Sequence, residues 1–395
     1  MRELGPRGVA AAVALLFAGV VACSESGGSS SGPDEQPAPD VPGAEWAVVA
    51  PEEHGIDPAS LDTARTYAFA DGMNTQAVVV VHDGAIVAEW YADGASADSW
   101  AASWSVAKSF TSALIGIAIE DELIPGVDEP MTTWFPEWEG TQREAITLRD
   151  VLQMSSGLDW VESYSPDAVG ESDIIQMVLG EEDQLAYAAS QPSANEPGAV
   201  WSYSSGDTML LSAVIEQATG MAAHEYAQEE IFDAIGMEQV EWWRDARGHT
   251  LTYCCVDTTS RGFARFGLLY ARQGVWGDEQ VVPRAWVEDS LEPAPASQGA
   301  YGYQWWLDQP DDLPEDTFSA RGHDGQYIYV IPSLDLVVVR NGGYVKDPGP
   351  PIAEPNLFAK YPSDGLVPGK GTINPERGWD DAEFLRPIVE SLGGA

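Results

Sequence analysis

Only four lysines occur among the 395 residues, Lys108, Lys346, Lys360 and Lys370. One of them stands three positions after a serine, in Trp104-Ser105-Val106-Ala107-Lys108. On a helix such a pair shares one face a turn apart, so the amine can reach the hydroxyl, and the helix N-terminus favours negative charge developing there. A serine hydroxyl is a poor nucleophile until a neighbour takes its proton. A lysine desolvated in a cleft can sit neutral and take it. With 30 serines and 4 lysines in the chain, chance supplies roughly 0.3 Ser-x-x-Lys tetrads. The surroundings add weight, because this lysine lies in an Ala- and Ile-rich stretch of a chain that nearly excludes lysine.

A second candidate is Tyr203-Ser204-Ser205-Gly206, just ahead of a helix expected from Asp207. A tyrosine hydroxyl facing a lysine ammonium is expected to titrate below its usual value of about 10, which would let the phenolate accept and return a proton. The third is His323-Asp324-Gly325, directly before an expected strand. A small residue at an inward-facing strand edge lets a substrate lie against backbone N–H groups. The same tripeptide occurs at His82-Asp83-Gly84, where it reads as a turn between two strands. The later copy reads as the opening of a strand that needs no Asp-Gly turn. Gly28-Ser29-Ser30-Ser31-Gly32 fits the GxSxG pattern of a nucleophile elbow, but no strand precedes it and no helix follows, so it is set aside.

These residues need elements to position them. Ala77–Val81 and Ala85–Tyr91 are apolar β-formers around an Asp-Gly turn, and Gly302–Leu307, Gln326–Ile331 and Leu334–Arg340 read as further strands. Ser105–Leu123 places apolar residues at helical spacing, and Leu148–Met154, Asp207–Thr219, His224–Ile235 and Thr259–Arg272 look similar. The expected class is therefore α+β, with an antiparallel sheet built from both termini, flanked by helices, and an inserted, mostly helical lobe. A site is expected in the cleft between sheet and lobe.

Composition excludes other classes. The formal charge is −44, which repels phosphate backbones and anionic headgroups, so neither a nucleic-acid partner nor a basic membrane patch is expected. Arg2 and Arg7 precede an apolar run from Val9 to Val21, the build of a secretory signal over residues 1–22. The run ends Val20-Val21-Ala22-Cys23, similar to a bacterial lipobox, which makes Cys23 the expected lipidated residue. A Ser-, Gly- and Pro-rich tether over 23–43 would follow, and the catalytic domain would span 44–395. The implied location is an exported protein facing the periplasm or cell exterior, touching the membrane only through that lipid. Cys254 and Cys255 either form a vicinal disulfide or remain two buried thiols. The five histidines are scattered and His224-Glu225 lacks a second histidine four residues on, so no metal and no cofactor is expected.

Taken in order, the segments resemble the serine β-lactamase and penicillin-binding-protein superfamily, and among it the class C β-lactamase-related esterases and 6-aminohexanoate-dimer hydrolase. The likeness runs through Ser103–Phe110, Leu152–Trp160, Tyr203–Asp207, Ala264–Gly267, Tyr301–Trp306 and Gly322–Gln326. The resemblance implies a β-lactamase/transpeptidase-like fold, Ser105 as acylated nucleophile, Lys108 as its activator and Tyr203 as the proton relay to the leaving group. It further implies Ser205 at a motif position often held by Asn, His323 and Gly325 flanking the substrate, and backbone N–H groups of Ser105 and Gln326 as the oxyanion hole. Two departures, His323 in place of Lys and Ser205 in place of Asn, point away from β-lactams and toward carboxylic esters or small amides. The competing readings are a D-amino-acid peptidase or weak β-lactamase of the same fold, and a noncatalytic envelope-binding protein.

Overall fold

The structure is a computed structural model that describes residues 41–164, 170–343 and 378–394. The expected signal segment, Cys23, the GxSxG segment and the tether up to residue 40 lie outside the described residues. Among the described residues no helix is long and apolar enough to cross a membrane.

In chain order the strands are β1 (Thr75–His82), β2 (Ala85–Tyr91), β3 (Trp100–Ala102), β4 (Val240–Trp242), β5 (Val256–Thr259), β6 (Val275–Trp276), β7 (Glu279–Gln280), β8 (Phe318–Gly322), β9 (Gln326–Ile331) and β10 (Leu336–Gly342). The helices are α1 (Pro58–Ala68), α2 (Ala107–Glu120), α3 (Leu148–Leu152), α4 (Asp173–Gly180), α5 (Gln184–Ser190), α6 (Ser205–Thr219), α7 (Ala223–Ala227), α8 (Ser260–Ala271), α9 (Arg284–Ser290) and α10 (Asp381–Ser391). One sheet takes the first two strands and the last three in the order β2-β1-β10-β9-β8, every pairing antiparallel. Helices α2 to α9 and a small sheet ordered β3-β5-β4 fall between β2 and β8 in the chain.

The valine runs are continuous because both faces of the sheet are covered. Val79, Val81, Val337 and Val339 join the core that contains Phe110 and Phe266. The alternate residues Val78, Val80, Leu336 and Val338 join a second core with Leu61, Phe384 and Ile388 from α1 and α10. A strand buried on both faces loses the polar alternation that a half-exposed one shows.

Two expectations are corrected. Gly302–Leu307 forms no strand; Gln304 has a left-handed φ of 65°, and only isolated bridges join Tyr301 to Trp306 and Trp306 to Ser319. Its aromatic residues earn their place by packing, with Trp305 stacked on Phe266 and against Tyr270. The second His-Asp-Gly is also a turn: it joins β8 to β9, with Gly322 paired to Gln326 and left-handed φ at Asp324 (58°) and Gly325 (79°). The short strand β8 ahead of it, with serine and arginine inside it, carries too weak a β signal to reveal the hairpin. The cysteine alternatives also resolve, as Cys254 and Cys255 are joined in a vicinal disulfide.

Candidate active site

Strand β3 delivers the chain to a tight turn. Ser103 anchors it, donating its N–H to the Val256 carbonyl at 2.8 Å while its Oγ accepts from the Val256 N–H at 2.8 Å. Trp104 then adopts a left-handed φ of 46°, a costly conformation for a bulky residue that persists only where its surroundings enforce it. A 3-10 turn over Trp104–Val106 leads into α2, so Ser105 sits just before the helix and Lys108 one turn further. The end of β8 closes over this turn. A Cβ at Gly322 would stand 2.2 Å from the Ser103 carbonyl oxygen, so only glycine allows the approach.

Lys108 is 1% exposed, and its ammonium spends all three donors: on Ser105 Oγ at 3.1 Å, Ser205 Oγ at 3.0 Å and the Tyr253 carbonyl at 2.9 Å. Its Nζ also lies over the Tyr203 ring, 5.0 Å from the centroid. Burial pushes the lysine down to about 8, against the opposing pull of the Glu162 carboxylate. A substantial neutral fraction therefore exists in mildly alkaline solution.

Tyr203 stacks on Trp306 with centroids 5.5 Å apart and meets the edge of Tyr301; its hydroxyl hydrogen-bonds Ser105. The expected lowering of its pKa is overturned. Burial and the Glu162 charge raise it well above the usual phenol value, outweighing the Ser105 hydrogen bond. The reason is geometric: Nζ faces the ring rather than the hydroxyl, so the cation gives the phenolate little relief while desolvation acts in full. Tyr203 is thus a neutral phenol, suited to donating a proton.

The sequence reading missed Glu162. Its carboxylate accepts from Ser205 Oγ at 2.7 Å, the Ser205 N–H at 3.0 Å, Trp160 Nε1 at 2.6 Å and the Tyr164 hydroxyl at 2.7 Å. Ser205 thereby bridges Lys108 to a carboxylate. The start of α6 that carries Ser205 is seated on Trp160, where a Cβ at Gly206 would come 2.6 Å from the indole. Beneath it Asp207 accepts from Ser156 Oγ at 2.7 Å and Ser204 Oγ at 3.2 Å. That bond explains why the Leu152–Trp160 segment accompanies the tyrosine segment, for it supports the site from below.

His323 lies on the β8–β9 turn, stacked on Tyr164 with centroids 4.6 Å apart and edge-on to Trp104. With Ser105, Tyr164, Tyr253, Cys254 and Ile174 it lines a cavity of about 130 Å³. Gly325 is not among the lining residues of that cavity; its carbonyl accepts from the buried Arg340 guanidinium. The Gln326 side chain is spent on β10, donating to the Gly342 carbonyl at 2.6 Å and accepting from Asn341 at 3.1 Å. Gln326 is itself fully buried and does not line that cavity.

The Beta-lactamase family model matches residues 62–342. The chain belongs to that family and is a hydrolase of the β-lactamase fold. It is 24% identical over 287 residues to the 6-aminohexanoate-dimer hydrolase of Paenarthrobacter ureafaciens, covering 67% of this chain and 72% of that one. Solved structures share the fold, two of them as follows. EstCE1, described as a hydrolase with promiscuous acyltransferase activity, superposes with a TM-score of 0.62 at 13% identity, covering 74% of this chain and 94% of that one. A penicillin-binding-protein homologue from Caulobacter crescentus gives 0.57 at 14% identity, covering 72% and 92%.

Proposed function

We propose that the protein hydrolyses carboxylic esters or small amides through an acyl-enzyme on Ser105. The observation that carries this reading is the contact of Ser105 Oγ with Lys108 Nζ at 3.1 Å, together with the Tyr203 hydroxyl on the same serine. Neutral Lys108 takes the Ser105 proton as Oγ attacks the substrate carbonyl. The resulting oxyanion is held by the backbone N–H groups of Ser105 and Gln326. The neutral Tyr203 phenol gives its proton to the leaving alcohol or amine as the C–O or C–N bond breaks, and the proton gained by Lys108 restores it. Water then attacks the acyl group with the same residues acting in reverse, releasing the acid and the free serine.

His323 and Ser205 stand where β-lactam-directed relatives carry Lys and Asn, and the small cavity lined by Ile174, Tyr164 and Tyr253 suits a short, largely apolar acyl group. Export and anchoring through Cys23 belong to this proposal, supported by the apolar run and the tether that follows it. The test is a panel of p-nitrophenyl esters, linear amides and a chromogenic cephalosporin, run on the wild type and Ser105→Ala. Short esters turned over fastest, with the activity gone in Ser105→Ala, are expected. A cephalosporin rivalling the esters, or activity surviving in Ser105→Ala, contradicts the proposal.

A further inference from the structure

At the end of the sheet opposite Gln326, the β1–β2 turn meets the 3-10 helix Pro51–His54. The register defines the ends: His82 pairs with Leu336, which pairs with Ile331 at the far end of β9 from Gln326. We propose that His54, His82 and Asp83 form a binding site for a divalent transition-metal cation, zinc above all, that ties the 3-10 helix to the β1–β2 turn.

One ligand atom from each of the three residues lies within 4.8 Å of the others. His54 Nδ1 stands 3.6 Å from Asp83 Oδ2 and His82 Nδ1 stands 3.7 Å from it, too far for good hydrogen bonds. Both Nδ1 atoms are buried with no hydrogen-bond partner, and His82 as a residue is only 9% exposed. An orphaned imidazole nitrogen in such a position is a cost that a bound cation would remove. Zinc held by nitrogen and oxygen at 2.0–2.2 Å in a tetrahedron spaces its ligand atoms about 3.3 Å apart. Two of the three separations are already within about half an ångström of that spacing.

The Asp83 side chain is 58% exposed, so it can close the remaining gap and leave a fourth position for water. Two imidazoles and one carboxylate favour zinc over magnesium or calcium. The other cluster of this kind among the described residues, Asp183, Asp245 and His249, lacks such unspent atoms. There Asp245 already accepts the backbone N–H groups of Gln184, Arg247 and His249, and Asp183 caps α5 through Ala186.

The test uses the mature protein without a histidine tag, stripped with EDTA, dialysed and titrated calorimetrically with zinc chloride, with thermal melting followed in parallel. About one equivalent of zinc should bind per chain and raise the melting temperature. His54→Ala, on a short surface turn, and Asp83→Asn should each weaken binding about tenfold or more, since losing a ligand costs at least what losing its outer partner does. Ester hydrolysis should be unchanged in both variants, a control that also establishes folding. Absence of zinc binding by the wild type, or wild-type affinity in both variants, overturns the assignment.

Discussion

Replacing Glu162 by Gln removes one charge from the site while keeping a polar group of the same shape, and its effect can be worked from the bridge through Ser205. Lys108 Nζ and the Glu162 oxygen are no farther apart than the 3.0 Å and 2.7 Å bonds laid end to end, roughly 5.7 Å, which at an effective dielectric of about 20 is worth about 3 kcal/mol. Glu162 is partly exposed, so solvent screening trims this to an expected shift of about one to two pH units. The direction is fixed: Glu162 raises the Lys108 pKa, so its loss lowers that pKa and makes the neutral amine available at lower pH. In the wild type the acidic limb of kcat/KM for a p-nitrophenyl ester should be centred near the Lys108 value of about 8, since this ratio reports the free enzyme. In Glu162→Gln the limb should move down by about one to two units. A limb that stays in place, or moves up, refutes the reasoning that Lys108 is the group being titrated.

Gly322→Ala should lose most activity and about 1–3 kcal/mol of stability, measured by urea unfolding, because its methyl group must displace the Ser103 carbonyl 2.2 Å away; wild-type activity would show that the turn is not held from β8. Asp207 is raised to about 7 by burial, above its unfolded value of about 3.9. The folded chain therefore binds this proton more tightly, so the group's contribution is present below pH 4, is lost as pH rises toward 7, and amounts to about 4 kcal/mol. Asp207→Asn should lack that loss, so the wild-type minus variant difference in unfolding free energy falls between pH 4 and 7. Parallel profiles would contradict the assignment.

Much of this architecture was legible in the residues. The valine runs announced β1 and β10, because strands buried on both faces stay apolar along their length, while β2 and β9 were legible from their β-branched and aromatic residues. Helix α2 was legible from the period of Val106, Phe110, Ala113, Leu114 and Ile117. Helix α1 went unread although Asp57-Pro58 carried the signal, a capping Asp whose side chain accepts from Ala59 with Pro at the first position. Helix α10 was obscured by Pro387 in its interior. Within the site, the Ser-x-x-Lys spacing translated directly into a 3.1 Å contact, since the helix turn alone fixes it. Glu162 could not be found the same way, being one of 63 acidic residues and made distinctive only by the four donors that tertiary folding brings to it. The tyrosine pKa was misjudged for a related reason: the sequence can place a cation near a phenol, but only the fold determines whether it faces the hydroxyl or the ring.

The central claim is a covalent acyl group on one serine. Acid-quenched intact-mass analysis during turnover of a slow p-nitrophenyl ester, followed by peptide mapping, measures it directly. The account predicts a transient mass increase equal to the acyl group, located on the peptide containing Ser105 and missing in Ser105→Ala. Steady turnover with no adduct on that peptide, or an adduct that persists in Ser105→Ala, would contradict it.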